Sequence, residues 1–248
     1  MLTRPPLWIT AVAVVAVGLS ACSGGSGTTT TAPSSPATSA STSTTAPATS
    51  PTSAQRTAVE LKSALLELKD LPSGFAIEPV GGSADGGGKV TSKDPKCAAL
   101  VKLTNVDTPP GSKASAKVSL SGGQDGPFID ESIDAMGSAD AVEALQASFK
   151  SAVAACRQLT MTIPGQGSSS MKVAEVSAPK FGEHPFAARI TGTGGGLAGL
   201  EITQVTAGVK DAIVSIIFVA ANPEDVDGAT EAAITKADEV LGSKAGGA

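Results

Sequence analysis

The stretch Ala212 to Ala221 sets the strongest constraint on the fold. It carries Ile213, Val214, Ile216, Ile217, Phe218 and Val219, with Ser215 as its one polar interruption. A half-buried strand alternates apolar and polar residues. This run does not, so it reads as a strand buried on both faces. Two longer strands precede it, near Leu200–Ala207 and Phe186–Thr193, and shorter ones fall near Met171–Ser177 and Leu159–Ile163. The connections are short and turn-like. Short connections make antiparallel neighbours, because parallel pairs need long crossovers.

Helices frame these strands. Ala54 to Lys69 repeats Ala58, Leu61, Leu65 and Leu68 at helical spacing and ends before Pro72 and Gly74. A short strand follows at Phe75–Val80, then a Gly-rich loop from Gly81 to Lys93. Asp94-Pro95 opens a second helix, with Asp94 as cap and Pro95 in the first turn. Ala114, Ala116, Val118 and Leu120 alternate with polar residues as a half-buried strand does. Gly122 to Pro127 turns the chain into a strand at Phe128–Met136. Its acids, Asp130, Glu131 and Asp134, read as a solvated strand edge. Asp130 and Asp134 fall on one face and Glu131 on the other, which argues against a shared calcium site. Ser138 caps the clearest helix, about Ala139 to Arg157, with Val142, Leu145, Phe149, Val153 and Cys156 on its apolar stripe. Asn222-Pro223 caps a last helix to about Leu241, with Gly242 at its end. The expectation is an α+β fold: a mostly antiparallel sheet packed with helices, an α/β sandwich over residues 56–248.

Residues 1–21 have the parts of a secretory signal: Arg4, an apolar run from Leu7 to Gly18, and small residues before Cys22. The run is too short for a membrane span of about 20 apolar residues. Leu19-Ser20-Ala21-Cys22 resembles the cleavage box of bacterial lipoproteins. That resemblance implies cleavage before Cys22 and a diacylglycerol on its sulfur, whose two acyl chains anchor the protein to the membrane. An ordinary cleaved signal with an incidental cysteine is the alternative. From Ser23 to Gln55, 19 of 33 residues are Ser or Thr, four are Pro, and none is charged. Such a segment cannot bury enough surface to offset its ordering entropy. Residues 22–55 therefore read as a disordered tether whose ends lie roughly 30 Å apart. Its Ser, Thr and Pro content also suits O-linked sugar.

Charge and aromatic content narrow the partners. The chain carries a net charge of −5, and loss of Arg4 with the signal makes it −6. An acidic chain does not attract nucleic acid or an anionic membrane surface. Trp8 lies in the signal and there is no Tyr, so six Phe remain as aromatic side chains beside one imidazole, His184. Stacking platforms for bases or sugars are not expected on that inventory.

With Cys22 assigned to lipid, Cys97 and Cys156 remain. An even pair in an exported domain most often forms a disulfide; two buried thiols are the alternative. One His and no other ligand cluster argue against a metal site. The search for catalytic or cofactor motifs finds weak matches only. Gly194, Gly196 and Gly199 match a dinucleotide fingerprint by letters, but a strand follows where a helix must begin. Gly82 to Lys89 lacks the first glycine and the Ser or Thr of a phosphate-binding loop. Ser169-x-x-Lys172 matches a serine nucleophile pair by letters but lies in a Ser-rich loop. His184 has no marked nucleophile partner. No cofactor is expected.

Asp70-Leu71-Pro72-Ser73-Gly74-Phe75, Asp94-Pro95-Lys96-Cys97, the Phe128–Met136 strand with the Ser138 helix, and Ala154-Ala155-Cys156-Arg157 occur in an order that resembles the PknH-type extracellular sensor domains of actinobacteria. Those domains form the outer part of a receptor Ser/Thr kinase and occur in free-standing lipoproteins. The resemblance spans roughly residues 60–242. It implies an α/β sandwich with a cleft, a disulfide in the helical part, and sensing or binding of an envelope ligand. Family members often carry two disulfides, whereas Cys97 and Cys156 allow one. The expected function is a membrane-anchored, non-catalytic ligand-binding or sensor-like domain outside the cytoplasmic membrane. The alternatives are a scaffold docking an envelope membrane protein, a lipid carrier built on the Ala-rich helices, and a hydrolase using His184 or Ser169.

Overall fold

The structure, a computed structural model, describes residues 55–79, 88–124, 126–165 and 167–242. The signal, Cys22, the tether and most of the Gly81–Lys93 loop lie outside these residues. In chain order the elements are α1 (Ala58–Ala64), a 3₁₀ turn at Leu68–Asp70, β1 (Ala76–Glu78), β2 (Lys89–Thr91), and a 3₁₀ turn at Pro95–Cys97 leading into α2 (Ala98–Thr104). Then come β3 (Ala114–Ser121), β4 (Phe128–Ala135), α3 (Ala139–Ala155), β5 (Gln158–Ile163), β6 (Gly167–Val176) and β7 (Glu183–Gly192). A 3₁₀ turn at Gly195–Leu197, β8 (Glu201–Val209), β9 (Ala212–Val219) and α4 (Pro223–Gly242) complete the order. Among the described residues no helix is long and apolar enough to cross a membrane.

The nine strands form one sheet in the order β1-β3-β4-β9-β8-β7-β6-β5-β2, and every pairing is antiparallel. The apolar run at β9 sits in the interior of this sheet, between β4 and β8. Its alternate residues belong to different cores. Val214, Ile216 and Phe218 join α1 and α4, whereas Ile213 joins Met136 and Val142 at the start of α3. Side chains on a strand alternate between faces, so α1 and α4 cover one face and α2 and α3 the other. On the first face Leu61, Ala64, Leu65 and Leu66 meet Ala229, Ala233, Ala237 and Leu241, all buried. On the second, Phe149 of α3 meets Phe186 of β7 edge to face at 5.6 Å, beside Leu100, Val153 and Val173.

Caps explain where the helices begin. The Ser138 hydroxyl accepts from the Ala141 N–H at 3.2 Å, as expected of the α3 cap. At α4, the Asn222 side chain accepts from the Asp225 N–H (2.9 Å) while the Asp225 carboxylate accepts from the Asn222 N–H (3.1 Å). Thr57 and Glu60 form the same reciprocal box at α1.

Several expectations need correction. The first helix does not run to Lys69. It ends at Ala64, Leu65 turns extended (φ −69°, ψ 155°), and a separate 3₁₀ turn follows. The Gly-rich loop contains a strand: Val90 pairs with Met161 of β5, and on its open side the Asn105 amide accepts from the Val90 N–H (2.9 Å) and donates to the Val90 carbonyl (2.7 Å). Asn105 thus supplies both hydrogen bonds that a further strand would make. Finally, β4 is no solvated edge. It lies between β3 and β9, and Glu131 and Asp134 are each 1% exposed.

Candidate functional site

Cys97 and Cys156 form a disulfide, with an S–S distance of 2.03 Å and Cα atoms 4.6 Å apart. Cys156 is the C-cap of α3, so the bond fastens the 3₁₀ turn before α2 to the end of the long helix. The second thiol pair that the resemblance brings to mind has no counterpart in this sequence.

The letter matches for catalysis come apart in space. Ser169 is on β6, not in a loop, and Lys172 three residues on falls on the opposite face of that strand. The Ser169 hydroxyl is buried and accepts from the Leu197 N–H at 3.0 Å. His184 stands at the other end of β7 in a left-handed conformation (φ 49°), at a bulge held by the Gln146 side chain, which donates to the Glu183 and His184 carbonyls. Of the glycines at 192–199, Gly192 and Gly195 permit close packing, whereas Gly194 and Gly199 face open space. A Cβ on Gly192 would lie 1.7 Å from the Leu197 carbonyl oxygen, and one on Gly195 (φ +74°) would lie 2.6 Å from the Ser169 hydroxyl.

Two polar regions remain, one on each face of the sheet. The first is a cleft of about 620 Å³ between the Leu68–Asp70 turn and α4, lined by Glu67, Lys69, Asp70, Glu231, Lys236 and Glu239 among others. The Lys236 ammonium reaches Asp70 at 2.6 Å and Glu67 at 3.0 Å. Lys69 pairs with Glu67 at 2.6 Å. Bonds to Lys69 and then Lys236 hold the Glu67 carboxyl down at about 2, and Glu67 in turn raises Lys69. Near this cluster, on β4, is Glu131. Burial pushes its carboxyl up to about 7, against the pull of the Leu66 N–H and the Lys236 charge. Its Oε2 accepts from the Leu66 N–H at 2.7 Å, and its Oε1 is buried with no hydrogen-bond partner.

The second region is a polar strip on the other face of β3, β4, β9 and β8. The register places Lys117, Ser132, Ser215 and Thr206 in one row across these strands, with Ser119, Asp130, Ile217 and Gln204 in the next. Ser115 and Asp134 begin the row on the other side. Ser119 and Thr206 are buried, whereas Lys117, Ser132, Ser215 and Gln204 are half-buried. The Thr206 hydroxyl is buried without a partner, and buried hydroxyls are ordinarily bonded to something. Burial raises the Asp134 carboxyl, opposed by the Ser115 and Ser112 hydroxyls and the Lys117 charge; Ser112 donates to it at 3.1 Å. Sequence periodicity gave the polar side of β3 but not its neighbours, because strand order decides which residues stand beside it.

No protein-family model matches the chain, and no curated protein matches it. Solved structures do. The fold resembles the PknH-type extracellular domain, as the motif order leads one to expect. The extracellular domain of PknH from Mycobacterium tuberculosis matches with a TM-score of 0.53 at 13% identity, covering 76% of this chain and 98% of that one. An uncharacterized protein from Mycobacterium smegmatis, the Rv0999 ortholog, matches with a TM-score of 0.40 at 13% identity, covering 72% and 96%. At such identities the first likeness is one of fold.

Proposed function

We propose that this chain is a lipid-anchored protein of the outer side of the cytoplasmic membrane, and that its folded domain binds or senses a polar envelope ligand without transforming it. The observation that carries the reading is the fold shared with an extracellular domain. The Cys97–Cys156 disulfide supports it, since such bonds persist in oxidising compartments. Cys22 supplies the anchor. The polar strip of Lys117, Ser132, Ser215, Thr206 and Gln204 is the surface assigned to the ligand. Its hydroxyl, amide and ammonium groups recognise a hydrogen-bonding molecule, and it has few large apolar side chains to hold a lipid tail.

Native mass spectrometry of the exported protein, mixed with envelope extract, tests this reading. A small adduct that dissociates on activation is expected in the parent and lost in a Ser132→Ala, Ser215→Val double variant. An apo mass throughout overturns ligand binding. It would favour the scaffold alternative, which the filled cores on both sheet faces also suit. For the anchor, Cys22→Ala is expected to move the protein from the membrane fraction to the soluble one.

A further inference from the structure

Glu131 occupies a position that the strand pattern reserves for an aliphatic side chain. Ile129, Ile133 and Ala135 share its face of β4, and the residues directly across the ladder are Val118 on β3 and Ile216 on β9. The segment from Arg56 to Asp70 lies over it like a strap. Leu61, Ala64, Leu65 and Leu66 of this strap are 0–3% exposed and join the core beneath. The strap is tied down at both ends. Arg56 pairs with Asp211 and donates to the Leu241 carbonyl, and Asp70 pairs with Lys236 at 2.6 Å. At its middle α1 ends, Leu65 turns extended, and the Leu66 N–H goes to the Glu131 carboxyl 65 positions away.

We propose that Glu131 is a pH-responsive latch for this strap. The neutral carboxyl holds the strap against the sheet, and the ionised carboxylate releases it. The reason is solvation. An ionised carboxylate needs several donors, and a buried one without them is costly. Here a single N–H is supplied and the other oxygen has no partner. The charged groups facing Glu131 do not compensate. Lys236 on α4 is committed to Asp70 and Glu67, and Asp70 in the 3₁₀ turn is itself an acid. On α1, Lys62 is exposed, and the half-buried Glu60 accepts from the Thr57 N–H at the helix start. The direction of the carboxyl's shift, upward to about 7, agrees with this geometry. A charged Glu131 gains water only when the strap lifts. This inference is independent of the ligand, and it places a response to rising pH at the N-terminal end of the described domain.

Hydrogen exchange on the full exported chain between pH 5 and 8.5, corrected for intrinsic exchange, tests the latch. Protection of amides 61–67 is expected to fall with rising pH, by up to about tenfold per pH unit between pH 5 and 7, and to level off above about pH 7.5. In Glu131→Gln it is expected to stay flat throughout. An equal fall in the variant, or no fall in the parent, overturns the proposal. If the variant does not fold, the infrared band of the protonated carboxyl in the parent decides. Its loss near pH 7 supports the latch, and no buried protonated carboxyl above pH 5.5 overturns it.

Discussion

The two faces of the sheet hold their helices by different means. On the α2–α3 face a disulfide joins Cys97 to Cys156 beside the Phe149–Phe186 pair. The α1–α4 face has a larger aliphatic core and no cross-link, and it carries Glu131 under α1. The first arrangement restrains the chain whether or not the contacts form. The second depends on contacts, so a change in one carboxyl's charge is felt by the helices above it. That contrast can be broken or sharpened from either side.

Replacing Cys97 and Cys156 together by Ser is expected to cost about 4 kcal/mol in the chain-entropy model for a separation of 59 residues, read from urea unfolding. The loss should appear as protection lost in α2 and α3 before α4. Leu61→Ala, at a fully buried position of α1, is expected to cost roughly 3 kcal/mol and to loosen the other face first. The pH effect is of similar size. The Glu131 carboxyl titrates near 7 in the folded state against 4.5 in the ordinary case, so the folded protein holds the proton between these values. Its contribution is fully present below about pH 4.5 and is lost as pH rises through 7. Relative to Glu131→Gln, the parent should lose about 3 kcal/mol between pH 4.5 and 7.5, measured by urea unfolding across that range. The smallest effect is at Ser138→Ala, about 1 kcal/mol from the lost α3 cap, with no change in pH dependence.

Much of this architecture was legible. The β9 run, the Ser138 cap and the antiparallel order follow from local pattern, and Cys97 and Cys156 meet as the expected pair. What failed was decided by distant partners. Helical periodicity continues through Leu65 and Leu68, yet α1 stops at Ala64 and the Leu66 N–H turns to a carboxylate on β4. Strand β2 is three residues long with one buried side chain, too short for any period, and depends on Asn105. The serines before Met171 read as loop but pair with Thr160, Met161 and Thr162 of β5. Glu131 looked solvated because charge outweighed its place in Ile129-x-Glu131-x-Ile133. That alternation was the available signal. The polar strip was half visible, since β3 shows its polar side but nothing local reveals that β4 and β9 lie beside it.

The disulfide also makes the chain a loop with two tails. Between Cys97 and Cys156 lie α2, β3, β4 and α3, while β5 to β9 and α4 follow it. A protease that cuts once inside that loop, for instance in the exposed turn around Asp107, leaves two fragments still joined by sulfur. They should run as one uncut protein until a reductant is added. A single nick therefore need not part the domain from whatever its N-terminal segment is attached to.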